Sequence, residues 1–289
     1  MKYYTIGNLG IALDPGPIKI QDNILTAAFV STAQPRGIPL TITCRGADLS
    51  FLEDWEVELY TGAYEIRRQG ERRFMLHHWM THRFAYGLYL DELYGKWPVC
   101  LHCSESIGQI TLTAATVLAA AGLHHRLLQE NCGVLHASYI VRDGKGILFA
   151  APSHTGKSTQ AELWRQYAGA EILNGDRALF FLREGRWYAG GYTACGSSQI
   201  CRNETYPLEA IVFLEQGKDN LIHCTTPKER IRGLLAGMEI FHWSVEDMDR
   251  ALALATQVGA EVPMIRFSCR PDEDAVRTLE HYLEDMSQC

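Results

Sequence analysis

Residues 151–158 read Ala-Pro-Ser-His-Thr-Gly-Lys-Ser, and they stand between two stretches of opposite character. Gly146 to Ala150 is a continuous apolar run of strand length, whereas Thr159 to Trp164 spaces its apolar residues as a helix does. A strand, a tight loop with Gly and Lys, and a helix, in that order, aim successive backbone N–H groups and the positive end of the helix at one point. That point suits the phosphates of a nucleotide such as ATP. Lys157 adds a full positive charge, and the Ser158 hydroxyl suits Mg²⁺, a hard cation that takes oxygen ligands. The predicted nucleotide-binding residues are Ser153, His154, Thr155, Gly156, Lys157, Ser158 and Thr159. Two positions depart from the usual pattern. Ala151 replaces the first Gly of such loops, which requires that its backbone need no positive φ, and His154 occupies a usually small position.

The 289 residues fit one large or two ordinary domains, and 47% hydrophobic with 21% charged residues is ordinary globular composition. No apolar run approaches the length of a membrane span, and the start lacks a signal-like segment, so the expected location is cytoplasmic. Nine scattered cysteines imply reduced thiols rather than a disulfide framework. A net charge of -7 with no basic cluster argues against nucleic acid and anionic membranes as partners. Cys100-Leu101-His102-Cys103, with His77, His78 and His82 not far off, has one Cys-x-x-Cys and no second pair at zinc-site spacing, so the ordinary core reading is preferred.

Three regions follow along the chain. Residues 1–105 carry short β-like runs (18–24, 38–44, 55–67, 73–79 and 84–90) and read as a β-rich domain. Residues 106–130 have helically spaced apolar positions, with Ser106 and Gln109 placed for a capping box, and read as one buried connector helix. Residues 131–289 alternate strands and helices. Asp143-Gly144 between two apolar runs signals a hairpin, which sets the strand of His136 beside the one that feeds the loop. His136 is therefore close to Ser158, as either a ligand or a core imidazole.

From about residue 131 onward, His136-Ala137-Ser138, a hairpin, Pro152 to Thr159 and then Asp176 resemble the C-terminal domain of HPr kinase/phosphorylase. More distantly they resemble ATP-dependent phosphoenolpyruvate carboxykinase, of the same P-loop superfamily. The pattern also looks like the HPr-kinase-like proteins that phosphorylate serine on a peptide or free serine. The resemblance implies an α/β fold with a mixed α+β sheet, the carboxykinase/HPr-kinase-like P-loop domain, preceded here by the β-rich domain. It implies His136 near the metal or phosphate, Mg²⁺ between Ser158 and Asp176, and Asp176, His136 and Lys157 as the catalytic set. In those families two adjacent acids end the strand after the loop helix, and here the pair reads Gly175-Asp176. Asp176 is then expected to serve both metal and proton, helped by His136 or His154, and a carboxylate returned at 175 is expected to be tolerated.

Residues 190–203 fall where the kinases have a Gly-containing substrate loop, which implies substrate-side roles for Ser197 and Arg202, with Arg177, Arg266 and Arg270 as weaker candidates. The expected activity is transfer of the γ-phosphate of ATP to a hydroxyl, first on serine of a peptide or small protein. Free serine or another small alcohol is the next acceptor. A carboxykinase-like lyase and a non-catalytic nucleotide sensor stay open, and a homo-oligomer is compatible with the sequence.

Overall fold

The computed structural model describes residues 1–34, 38–79, 81–95 and 98–288, and divides into two compact units, Met1–Leu123 and His124–Cys289. In the first unit the strands are β1 (Lys2–Ile6), β2 (Leu9–Asp14), β3 (Lys19–Gln21), β4 (Val30–Ser31), β5 (Ile38–Ala47), β6 (Glu56–Tyr60), β7 (Glu65–Gln69), β8 (Arg72–Trp79), β9 (Thr81–Tyr89), β10 (Val99–Ser104) and β11 (Thr111–Thr113). Nine of them form one sheet in the order β4-β1-β2-β5-β10-β9-β8-β7-β6. Tyr4, Ile6, Ile11, Leu13, Leu40 and Ile42 are fully buried. They recur every second residue, as a strand covered on one face requires. The Cys-x-x-Cys stretch is part of β10, where Leu101 and Cys103 are buried and Cys100 and His102 half-buried. The side chains of His78 and His82 lie outside the described residues.

The connector expected over 106–130 is not one helix. Residues 105–109 form a short 3₁₀ turn in which no side chain caps the start, so the Ser106–Gln109 capping box is absent. Thr111–Thr113 pairs in parallel with β3, and helices follow at α2 (Ala114–Ala120) and α3 (Leu123–Gln129). Thr113 starts α2 by accepting the Thr116 N–H, and Gly122, at φ 70, breaks the chain before α3. The spacing of apolar residues reads as continuous because both helices are buried. The breaks come from a β-pairing and a left-handed glycine, neither of which disturbs that spacing.

The second unit contains β12 (Cys132–Arg142), β13 (Lys145–Ala150), α4 (Lys157–Ala168), β14 (Glu171–Asn174), β15 (Arg177–Arg183), β16 (Arg186–Gly191), β17 (Thr205–Gln216), β18 (Leu221–Cys224), α5 (Pro227–Gly237), α6 (Val245–Glu261), β19 (Met264–Cys269) and α7 (Glu273–Gln288). The chain is thus mixed α/β. The β12–β13 hairpin forms as expected, with Asp143 at φ 49 and Gly144 at φ 72, the left-handed pair of a two-residue hairpin turn. β13 pairs antiparallel with β12 and parallel with β17. β12 and β17 are long enough to serve two sheets each. The first half of β12 pairs with β15 and its second half with β13 and β14, while β17 reaches β16 at one end and β13 and β19 along the rest.

Side chains then alternate between two cores. Ile147 and Phe149 of β13 join Trp164 of α4 and Val276 and Leu279 of α7, whereas Leu148 and Ala150 join Leu234 of α5 and Leu254 and Val258 of α6. A helix layer covers each face of this sheet, which is why β13 reads as a continuous apolar run. Helix α4 is tied down by Trp164, fully buried with its ring 6.0 Å from that of Phe149, and is ended by Gly169 at φ 65, where the Ala170 N–H returns to Trp164 O. Trp164→Ala should lower the unfolding free energy by about 3–5 kcal/mol in a denaturant titration, the usual cost of deleting a large core aromatic.

Candidate functional site

Between β13 and α4 the chain turns through residues 151–156. Ala151 needs no positive φ, so the missing first glycine is harmless, but His154 sits at φ 64 and Gly156 at φ 114. A Cβ on Gly156 would meet nothing within 4 Å. Glycine is needed there for its backbone angle and not for space. Gly156 is also the N-cap of α4 and has no side chain to bond the first N–H groups of the helix, which leaves them directed at the loop's hollow. Lys157 is buried, and its Nζ donates to Ala151 O at 3.0 Å and Pro152 O at 3.2 Å. Burial lowers its pKa, Asp176 opposes that, and Arg177 adds to it.

The second wall of the site is the turn after β14. Asn174 is fully buried, and its Oδ1 accepts the N–H groups of Asp176 (3.0 Å) and Arg177 (3.1 Å) while its Nδ2 donates to Tyr192 O (2.9 Å). Ser138 Oγ, also buried, donates to Gly175 O at 3.0 Å. The side-chain oxygen of Asn174 thus sets the turn locally, which is the usual talent of Asn in turns. The antiparallel register of β12 and β15 puts His136 opposite Arg177. From there its Nε2 lies 3.1 Å from Asp176 Oδ1.

The remaining Asp176 oxygen is bound by Arg177 Nη1, and Arg177 Nε donates to Glu239 Oε2 at 2.6 Å. Burial works against the Arg177 charge, but Glu239 and Asp176 together hold its pKa above the ordinary value. For His136, burial comes first and lowers the pKa, Lys157 and Arg177 lower it further, and Asp176 pulls the other way. The imidazole is accordingly neutral near pH 7 and able to accept a proton.

A cavity of about 410 Å³ lies between the two walls, lined by His136, Ser153, His154, Gly156, Lys157, Ser158, Thr159, Gly175, Asp176, Gly196 and Ser197. Every predicted site residue except Thr155 and Arg202 borders it. Thr155 faces two neighbouring cavities instead. Arg202 is corrected by the structure: its exposed guanidinium is held by Glu171 at 2.9 Å and reaches Glu204 at 3.7 Å, away from the cavity. Arg177, ranked below it from sequence, is the arginine on the carboxylate.

Position 175 is confined to a residue without a side chain. A Cβ there would overlap Ser198 Oγ and Cβ, because the loop at 195–198 packs onto the turn. Ser198 Oγ is fixed by donating to Cys195 O (2.7 Å) and accepting Ile200 N–H (3.2 Å). Gly196, at φ 56, approaches Asp176 so closely that its own Cβ would lie 3.0 Å from the Asp176 Cβ. The expectation that a carboxylate at 175 would be tolerated is therefore reversed.

The donor set suits Mg²⁺ held jointly with phosphates, a hydroxyl and a carboxylate being hard oxygen ligands. Among the described residues no group of three or more His, Cys, Asp or Glu side chains is placed to hold a metal by itself. No helix there is long and apolar enough to cross a membrane.

No family model matches the chain, and no curated protein matches it. Among solved structures it is similar to the Hpr(Ser) kinase/phosphatase from Coxiella burnetii, at 14% identity and a TM-score of 0.33, over 54% of this chain and 94% of that one. The likeness is a distant one of fold.

Two outcomes follow from the site. In the nucleotide-free protein the His136 ring resonances should titrate below the ordinary histidine value, lower still in Asp176→Asn and higher in Lys157→Ala; unchanged midpoints in both variants would contradict the arrangement. Gly175→Asp should lose stability by about 1–3 kcal/mol through overpacking, read in a thermal or denaturant melt.

Proposed function

We propose that the second unit binds Mg-ATP and transfers its γ-phosphate to a hydroxyl, first of all that of a serine on a peptide or small protein, as an HPr-kinase-like phosphotransferase. The observation that carries this reading is the single cavity bordered by an uncapped helix start, a buried lysine, a serine hydroxyl and a histidine–aspartate pair. The free N–H groups and Lys157 would hold the β- and γ-phosphates, and Ser158 and Asp176 would hold the metal. Bound there, Mg²⁺ would neutralise phosphate charge as the transferred group loosens from ADP.

The chain's own part is to orient and to move one proton. As the acceptor oxygen bonds to the γ-phosphorus and the bond to the ADP oxygen breaks, the hydroxyl proton passes to the His136–Asp176 pair. His136 would take it, since burial and Lys157 lower its pKa and favour the neutral ring. Arg177 and Glu239 hold Asp176 from behind, so the metal would compete with His136 and Arg177 for one carboxylate. That competition also favours a second reading, a nucleotide sensor without transfer, because Ser198 fills the space of a second acid.

Lys157→Ala should weaken Mg-ATP binding by about 1.5–3 kcal/mol, a loss of roughly tenfold to a hundredfold in calorimetry. Parental affinity in that variant would remove the loop as the phosphate site. Asp176→Asn should retain measurable ATP binding yet transfer no phosphate in a single-turnover assay with labelled ATP. A parent that binds ATP and never transfers or hydrolyses it would favour the sensor.

A further inference from the structure

A second cavity, of about 810 Å³, shares the loop residues Ala151, Pro152, His154 and Thr155 and runs along α5. Its position relative to the loop indicates what enters it. Lys157 folds onto Ala151 and Pro152, so these mark the half of the loop nearest the γ-phosphate under the nucleotide reading. Both residues border the α5 cavity. Gly156 and Thr159 follow on the helix side of the loop and border both the cavity of Lys157 and Asp176 and another of about 380 Å³, which His154 and Thr155 also border. The far end of α5 then returns to the acceptor side: Met238 bridges Leu135, Glu239 N–H donates to Val134 O, and Glu239 holds Arg177 on Asp176. The α5 cavity thus meets the cavity of Lys157, Ser158 and Asp176 at His154, and the segment that follows α5 carries Glu239 to Arg177.

The lining is apolar at Phe213 and Ala236 and carries Arg232 and Arg266 together with the carboxylates of Glu215 and Glu229. Arg232 is exposed and makes no ion pair among the described residues. Arg266 Nε is buried with no hydrogen-bond acceptor, and its nearest carboxylates, Glu215 and Glu229, stand off at 3.8 and 3.7 Å. Guanidinium groups so loosely engaged suit a carboxylate brought in by a ligand. Pockets of roughly 300–1,000 Å³ take ligands far larger than one amino acid, so free serine would leave most of this cavity empty.

We propose that the α5 cavity recognises the acceptor as a peptide segment, with an apolar side chain on Phe213 and Ala236 and a carboxylate near the target serine held by Arg232 and Arg266. This rests on the phosphotransfer reading above. The test is phosphorylation of short synthetic peptides with a central serine, varied one position at a time, with labelled ATP and the full chain. Expected is a preference of roughly tenfold or more for peptides with both a bulky apolar residue and a carboxylate, over those with Gln for Glu. Acid and amide C-termini separate a side-chain carboxylate from a terminal one. Arg232→Glu should turn the acidic preference into a preference for Lys at the same position, a gain that a merely unfolded variant cannot show. Ala236→Trp, which fills the cavity from an exposed position, should erase the apolar preference. Flat labelling across the set, free serine labelled as well as any peptide, or an acidic preference unchanged in Arg232→Glu would each overturn the proposal. A parent that fails to bind Mg-ATP, or binds it and labels neither peptides nor free serine, would instead overturn the underlying phosphotransfer reading, and this one with it.

Discussion

Strand β13 has no free side. β12 and β17 take both its edges, and helical layers cover both its faces, so its last residue is fixed to within the tolerance of a packed core. Everything chemical in the second unit is measured from that end. The loop leaves it, α4 returns from the loop and is anchored by Trp164, and β12 carries His136 alongside. Placing a reactive loop at the end of the best-buried strand separates two requirements. The core supplies rigidity, and the loop keeps backbone angles that a core would not accept, such as His154 at φ 64.

Much of this is legible in the chain itself, and for local reasons. A two-residue Asp-Gly turn, a strand apolar on both faces and a Gly-Lys-Ser helix start each involve neighbours in sequence, so their physics can be read directly from the residues. The parts that escape reading are non-local. Arg177 finds Glu239 across 62 positions, and Ser198 comes to rest where residue 175 would have a side chain. The apparent helix over 106–130 misleads for a related reason, since the strand partner of Thr111–Thr113 lies some ninety residues earlier, at Lys19–Gln21. Loop 190–203 shows the limit plainly: its small residues do border the site, but its arginine turns outward to Glu171.

Charge beside the cavity is arranged as a chain rather than as pairs. Glu239, Arg177, Asp176 and His136 alternate in sign or polarity, and each is held by the next. Such a chain gives each half-buried charge an opposite partner. It also ties the state of the proton on His136 to the position of a residue just past α5, three contacts away. Networks of this kind are worth more, or less, than the sum of their pairs, and only double-mutant cycles apportion them.

The packing of Ser198 against Gly175 makes the two positions interdependent. Because a side chain at 175 would overlap both Oγ and Cβ of Ser198, an acid placed there alone would strain the turn. Ser198 would first have to shrink to glycine, which on its own discards the hydrogen bonds that shape the loop. Each step is harmful without the other, so descendants of this chain face a valley between one-carboxylate and two-carboxylate forms. Such an epistatic barrier would hold a lineage to the single acid whether or not that acid suffices.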